Sequence, residues 1–150
     1  MLAFRDATLD DLPAIVALLA DDDLGAGRES AGHGDLPRYE AALRAIAAQP
    51  GNSVLLCVDG DEIAGLLQLT LIPGLSRLGM TRAQIEGVRV SRARRGQGIG
   101  ERLFEHAIGI ARSAGCGLVQ LTTDKRRVDA KRFYERLGFV ASHEGMKLEL

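Results

Sequence analysis

Only two cysteines, Cys57 and Cys116, occur in the chain. They allow one bridge at most. Both stand among apolar residues without Cys-x-x-Cys or Cys/His spacing, so free, packed thiols in a reducing, cytoplasmic setting are expected. A charge surplus is also missing: 19 basic against 20 acidic side chains leave a formal charge of -1, which excludes a nucleic-acid binder that works by bulk positive charge. No uncharged apolar run approaches the roughly 18 residues that a membrane span needs, so no membrane partner is expected. Asp6 comes too early for a secretory leader. Internal repeats, low-complexity tracts and linker-like stretches are absent, and 150 residues suit one domain over 1–150. The three histidines, His33, His106 and His143, join no carboxylates or cysteines in a recognisable metal or nucleophile constellation. What is there is an ordinary globular composition, 46% hydrophobic and 26% charged.

Periodicity supplies the elements. Residues 2–6 suit a short first strand, and Thr8 with Asp11 has the spacing of a helix start before Leu12, Ile15, Val16 and Leu19. Asp21-Asp22-Asp23 ends that pattern, a polar loop follows, and a second helix runs on Tyr39, Leu43 and Ile46 until Pro50-Gly51-Asn52. Residues 53–58 are a continuous apolar run, turned at Asp59-Gly60-Asp61 into a longer strand over 63–72. Pro73-Gly74 breaks that strand, and 83–90 is a fourth. A glycine-rich turn leads into a long helix on Ile99, Leu103, Ala107 and Ile110, closed by Gly115. A fifth strand over 118–122 and a helix on Ala130, Phe133 and Leu137 follow, the helix stopping at Gly138. Residues 139–150 are expected to close the sheet with two strands around a turn near His143-Glu144-Gly145. This order demands an antiparallel region plus one parallel crossover, hence an α/β fold on a mixed sheet.

The most informative stretch is Val88-Arg89-Val90-Ser91-Arg92-Ala93-Arg94-Arg95-Gly96-Gln97-Gly98-Ile99-Gly100. A strand ends, a basic turn follows, and glycines enter a helix whose first amides lack intrahelical partners. Those amides and the helix dipole make a seat for a pyrophosphate, with Arg94 and Arg95 close by. The pattern is neither a P-loop, for want of Gly-Lys-Ser/Thr, nor Gly-x-Gly-x-x-Gly. Taken alone it is equally a tight turn that needs glycine only for packing.

Arg95-Gly96-Gln97-Gly98-Ile99-Gly100 resembles the Arg/Gln-x-x-Gly-x-Gly/Ala signature of the GNAT superfamily of acyl-CoA N-acyltransferases, and Phe133-Tyr134-Glu135-Arg136-Leu137-Gly138-Phe139 resembles its other recurring segment. The resemblance implies a central mixed sheet of six to seven strands flanked by about four helices, with acetyl-CoA as co-substrate and no metal. It implies that pantetheine lies along Val88, Arg89 and Val90, and that Arg95, Gly96, Gln97, Gly98, Ile99, Gly100 and Glu101 hold the pyrophosphate. A backbone amide near Val88 would face the acetyl carbonyl as an oxyanion donor. Tyr134 matches the tyrosine that protonates the departing thiolate; the competing reading is a core aromatic beside Phe133. Many relatives carry Asn where this chain has Arg127, which either reaches the CoA phosphates or forms part of a solvated helix entry, with Asp129 as the helix cap.

An amine of pKa near 10 is only about 0.1% neutral at pH 7, so a proton acceptor helps. Glu86 is the candidate base, because simple alternation sets it on one apolar face with Val88 and Val90, where its pKa would rise. A structural partner for an arginine is the competing role, and water is the competing base. His33, with Arg28 and Glu29, lies in a loop that in this fold often lines the acceptor site, where the three would select a charged substrate; a mobile, solvent-exposed loop is the competing reading. The acceptor stays open among small amines, amino-acid derivatives and peptide or protein amines, and a homodimer is compatible with the family. The alternative to a transferase is an acyl-CoA-binding regulatory or sensor domain without turnover.

Overall fold

The computed structural model describes every residue except Asp23, Ala31 and the side chain of His33. The unbroken apolar run at 53–58 becomes β2 (Asn52–Asp59), and it lacks alternation because both of its faces are covered. Leu55 and Cys57 point to one layer of helices, Leu56 and Val58 to the other. Around it the sheet runs β1 (Leu2–Asp6), β2, β3 (Glu62–Ile72), β4 (Arg82–Val90) and β5 (Leu118–Gln120) in spatial order. The first three pairings are antiparallel, and β4 pairs with β5 in parallel.

On one face, Leu67, Leu69, Ala83 and Ile85 of the sheet pack against Leu103, Phe104, Ala107 and Ala111 of α3 (Ile99–Ser113). Phe133 and Tyr134 of α4 (Val128–Arg136) extend the same cluster. On the other face, α1 (Leu12–Ala20) sets Ile15 against Leu56, Val58 and Leu66, while Leu12 and Val16 meet Leu43 of α2 (Leu36–Ala48). Each fully buried aliphatic or aromatic side chain stabilises these layers by about 1.5–3 kcal/mol. Arg5 forks onto Asp11 at 2.7 and 2.8 Å and, with the Thr8 amide, fixes the entry to α1. Gly115 and Gly138 take positive φ just past α3 and α4, as glycine does at helix ends. Among the described residues no helix is long and apolar enough to cross a membrane.

One expectation fails. The sheet has five strands, not six or seven, because residues 139–150 form no strand. Phe139 still packs on Phe104, with ring centroids 5.9 Å apart, but beyond it the chain crosses near Thr122 and Lys125, past the end of β5, and pairs with nothing. The loop between β3 and β4 contains a short turn over Ser76–Gly79. Arg77, Leu78 and Gly79 form a left-handed turn at φ 56°, 61° and 74°, a conformation that costs a non-glycine residue about 1–2 kcal/mol.

Candidate active site

The parallel pairing of β4 with β5 is three residues long: Arg82 faces Leu118, Ala83 faces Val119 and Gln84 faces Gln120. The Gln120 side-chain amide donates to Gln84 at 3.0 Å and closes the last rung. From there β4 runs on to Val90 without a partner on that side, so the sheet forks. A strand edge with free backbone groups therefore lines the fork.

Within the fork β4 carries an extra residue. Leu66 of β3 pairs with Arg89 and Gln68 with Glu86, so three steps on β4 match two on β3. Gly87 takes φ +65° at this bulge, which a side chain would strain. The bulge reverses the alternation. Val88 and Val90 therefore share the core face with Ala83 and Ile85, and Glu86 does not. Glu86 is exposed, rather than set in the apolar wall that simple alternation gave it.

Beyond β4, Ser91 and a short turn lead to Gly96 and Gly98, at φ +74° and +73°. Gly98 is the left-handed residue that precedes α3, and its carbonyl accepts the Arg102 amide at 3.1 Å. The amides of Ile99, Gly100 and Glu101 in the first turn thus have no acceptor within the helix. Arg95, Gly96, Gln97, Gly98 and Glu101 are exposed, while Ile99 is buried and anchors the helix start. The two motif segments meet: a Cβ on Gly100 would lie 3.2 Å from the Phe133 ring. Of the two arginines read as nearby charge, Arg94 is taken by Asp59, which leaves Arg95 facing outward.

Tyr134 is packed among Phe104, Phe133 and Phe139 at centroid distances of 5.5, 5.6 and 6.1 Å. Burial raises its pKa above the ordinary phenol value, against the pull of the Arg127 and Arg89 charges. Its hydroxyl therefore keeps its proton at neutral pH. The ring belongs to the core beside Phe133, and the guanidiniums of Arg127 and Arg89 lie within electrostatic range of its hydroxyl.

Those guanidiniums converge on a residue that the sequence reading passed over. Asp22, taken as part of a helix stop, accepts the amides of Leu24 and Gly25 at 2.9 and 2.6 Å and Arg127 at 3.2 Å. Its other carboxylate oxygen lies 2.6 Å from Nε of Arg89. Burial alone would raise the Asp22 carboxyl; the Gly25 amide and the charges of Arg89 and Arg127 outweigh it and hold the pKa below the usual value. Arg89 is itself depressed by burial, which the Asp22 charge opposes. Asp22 followed by Gly25 is a local turn signal visible in the sequence, whereas its two arginine partners are not. Arg127, in the position of the usual Asn, is directed to Asp22, and it also caps α4, so Asp129 lies inside the helix and is not its cap. The loop that follows is tied down by Tyr39, whose hydroxyl donates to Glu29 at 2.7 Å and accepts the Ser30 amide at 3.0 Å. His33, proposed to line this region, lies outside the described side chains.

Comparison with known proteins fits this geometry. Residues 14–139 match the family model described as "Acetyltransferase (GNAT) family". An aminoalkylphosphonate N-acetyltransferase of Salmonella typhimurium is 29% identical over 93% of this chain and 85% of its own length. A glucosamine 6-phosphate N-acetyltransferase of Trypanosoma brucei brucei is 36% identical over 59% of this chain and 58% of its own length. A crystal structure of a Bacillus halodurans protein called a transcriptional regulator superposes with a TM-score of 0.96 at 47% identity, with full coverage of both chains.

Proposed function

Because the chain belongs to the GNAT family of acetyltransferases, we propose that it moves an acetyl group from acetyl-CoA to a small primary amine by direct attack in a ternary complex. The observation that carries this reading is the fork: β4 outruns β5 and ends in a glycine-rich turn at a helix start. The residues there fit the co-substrate. The free edge of β4 at Val88, Arg89 and Val90 suits an extended pantetheine arm. The amides from Arg95 to Glu101, with the Arg95 side chain, suit a pyrophosphate.

In the reaction the amine nitrogen forms a bond to the thioester carbonyl carbon, and the carbon–sulfur bond breaks. The Val88 amide donates to the carbonyl oxygen, where negative charge develops. Glu86, exposed beside the bulge, takes the proton that the amine must lose, directly or through water. Tyr134, held protonated by burial, supplies a proton to the departing sulfur. The chain works as one cytoplasmic domain over 1–150.

Both relatives named for their substrates act on amines that carry a phosphate or phosphonate group. Arg89, which feels the charges of Arg28 and Arg127 beside Asp22, belongs to a basic cluster that suits such an acceptor. A second reading has one observation in its favour, the name of the Bacillus halodurans neighbour: an acyl-CoA-binding regulator without turnover.

CoA thiol release separates the two readings. The enzyme is incubated with acetyl-CoA and a panel of amines that includes aminoalkylphosphonates, amino sugar phosphates, amino acids and a lysine peptide, beside a no-amine control. Amine-dependent release is expected, with the phosphorylated or phosphonylated amines fastest. Tyr134→Phe should lower turnover by about 10²-fold while acetyl-CoA still stabilises the protein, and Glu86→Gln should lower it less. Stabilisation without release by any amine would favour the regulator. Full turnover in both variants would overturn the assigned roles.

A further inference from the structure

The glycine-rich turn is anchored at its two ends and bare between them. At its start the Ser91 amide donates to the Ala64 carbonyl of β3 at 2.9 Å, and at its end Ile99 is buried in the main core. Every residue from Arg92 to Gly98 is exposed except Arg94. A Cβ built on Gly96 or Gly98 would meet no atom within 4 Å, so no packing confines the turn. Gln97 bonds only locally, its side-chain amide donating to the Ala93 carbonyl at 3.1 Å. An unpacked segment with two left-handed glycines has many conformations open to it, and few of them aim its amides at a pyrophosphate.

Arg94 is the exception. Its side chain is 22% exposed and turns inward to the carboxylate of Asp59, 35 residues away. Its Nε is shut off from water with no acceptor among the described residues, so the Asp59 pair is what holds the guanidinium there. Asp59 closes β2, whose Leu56 and Cys57 are fully buried, and it lies in register with Leu2 of β1 and Glu62 of β3. Its other carboxylate oxygen accepts the Met1 ammonium at 2.8 Å. The tie thus joins a bare turn to a strand paired on both sides. The turn's other distant ion pair, Arg92 with Asp21 at 2.8 Å, stands in solvent at 55% and 44% exposure, where water and salt screen it.

We propose that Arg94, clamped by Asp59, is a positioning residue for acetyl-CoA. It fixes the turn from Arg95 to Gly98 so that the free amides at the start of α3 face the pyrophosphate before it arrives. The inference rests on the reading of the fork as the acetyl-CoA site. A guanidinium that served the anion directly would keep its charge free, whereas the charge of Arg94 is matched by a carboxylate and the pair presents no net charge. A turn already held in shape loses less conformational freedom when the anion binds, so the clamp strengthens binding without touching the ligand. The chemical step, at the other end of the pantetheine arm, is left as it was.

The test is calorimetric titration of CoA into the full chain, joined to kinetics with acetyl-CoA and with acetyl-pantetheine, a donor that ends before the pyrophosphate. Arg94→Ala and Asp59→Ala should each raise Kd for CoA and KM for acetyl-CoA about tenfold, with kcat within about twofold of the unaltered chain. The double variant should be no worse than Arg94→Ala, because either change alone opens the tie. Arg94→Lys should recover part of the loss, and kcat/KM with acetyl-pantetheine should not move in any variant. Asp59→Ala decides between holding the turn and meeting the anion: an Arg94 that met the pyrophosphate itself would be freed by this change and would bind CoA more tightly. Unchanged or tighter CoA binding in Asp59→Ala would overturn the proposal. An equal loss with acetyl-pantetheine would also overturn it, since the damage would then be general to the fold. An unaltered chain that binds no CoA would overturn the acetyl-CoA reading itself, and this inference with it.

Discussion

The two faces of the sheet are built differently. Under α3 and α4, among the described residues, one continuous cluster of twelve buried side chains runs from Leu55 to Ala111. Under α1 and α2 there are two small clusters, one of four residues and one of three. The region beyond α1 is held instead by charge, with Asp22 joining Arg89 of β4 to Arg127 at the start of α4. The first face is a rigid platform for the glycine-rich turn and Tyr134. The second carries the Asp22, Arg89 and Arg127 cluster beside the fork.

Substitutions can break or sharpen that contrast. The largest effect is expected in the continuous cluster: Phe104→Ala removes a fully buried ring that touches Phe133, Tyr134 and Phe139, and should cost about 3–5 kcal/mol. Leu43→Ala on the other face should cost nearer 2 kcal/mol, since its small cluster can relax. Urea unfolding of both variants reads the difference, and equal losses would erase the distinction between the faces.

Next is Asp22→Asn, which keeps an acceptor for the Leu24 and Gly25 amides but leaves two guanidiniums facing each other. A loss of about 1–3 kcal/mol is expected, together with altered acceptor KM. If KM for the amine is unmoved while stability falls, the cluster is only structural.

Gly98→Ala places a Cβ at φ +73°, and should cost about 1 kcal/mol while weakening acetyl-CoA binding more than it weakens the fold. The smallest effect belongs to the Arg5–Asp11 pair. Arg5 holds the Asp11 carboxyl down to about 2, so the pair's contribution is present above the unfolded carboxylate pKa, near 4, and is lost as pH falls toward 2. Arg5→Ala should therefore lower stability at pH 6 by less than about 1 kcal/mol and make no difference below pH 2.

The same contrast explains what could be read in advance. The turn from Arg95 to Gly100 and the segment from Phe133 to Phe139 were legible because their roles are local: positive φ at Gly96 and Gly98, free helix amides, an aromatic on a helix face. The element order was legible from periodicity. Glu86 was placed on the wrong face because one extra residue at Gly87 reverses every side chain before it, and a bulge leaves no trace in an alternation pattern. Asp22 was missed because its partners lie far along the chain and meet it only after folding. The tail misled for the opposite reason. Its strand pattern is real, but a pattern specifies a face to bury and not the edge that it pairs with.

The central claim is that the fork and its glycine-rich turn hold acetyl-CoA. Thermal unfolding with increasing acetyl-CoA tests this without knowledge of the acceptor. A saturable rise in Tm is predicted, equivalent to about 2.7 kcal/mol at one hundred times the Kd. That rise should be strongly reduced in Gly98→Val. A Tm that does not move at millimolar acetyl-CoA would contradict the account.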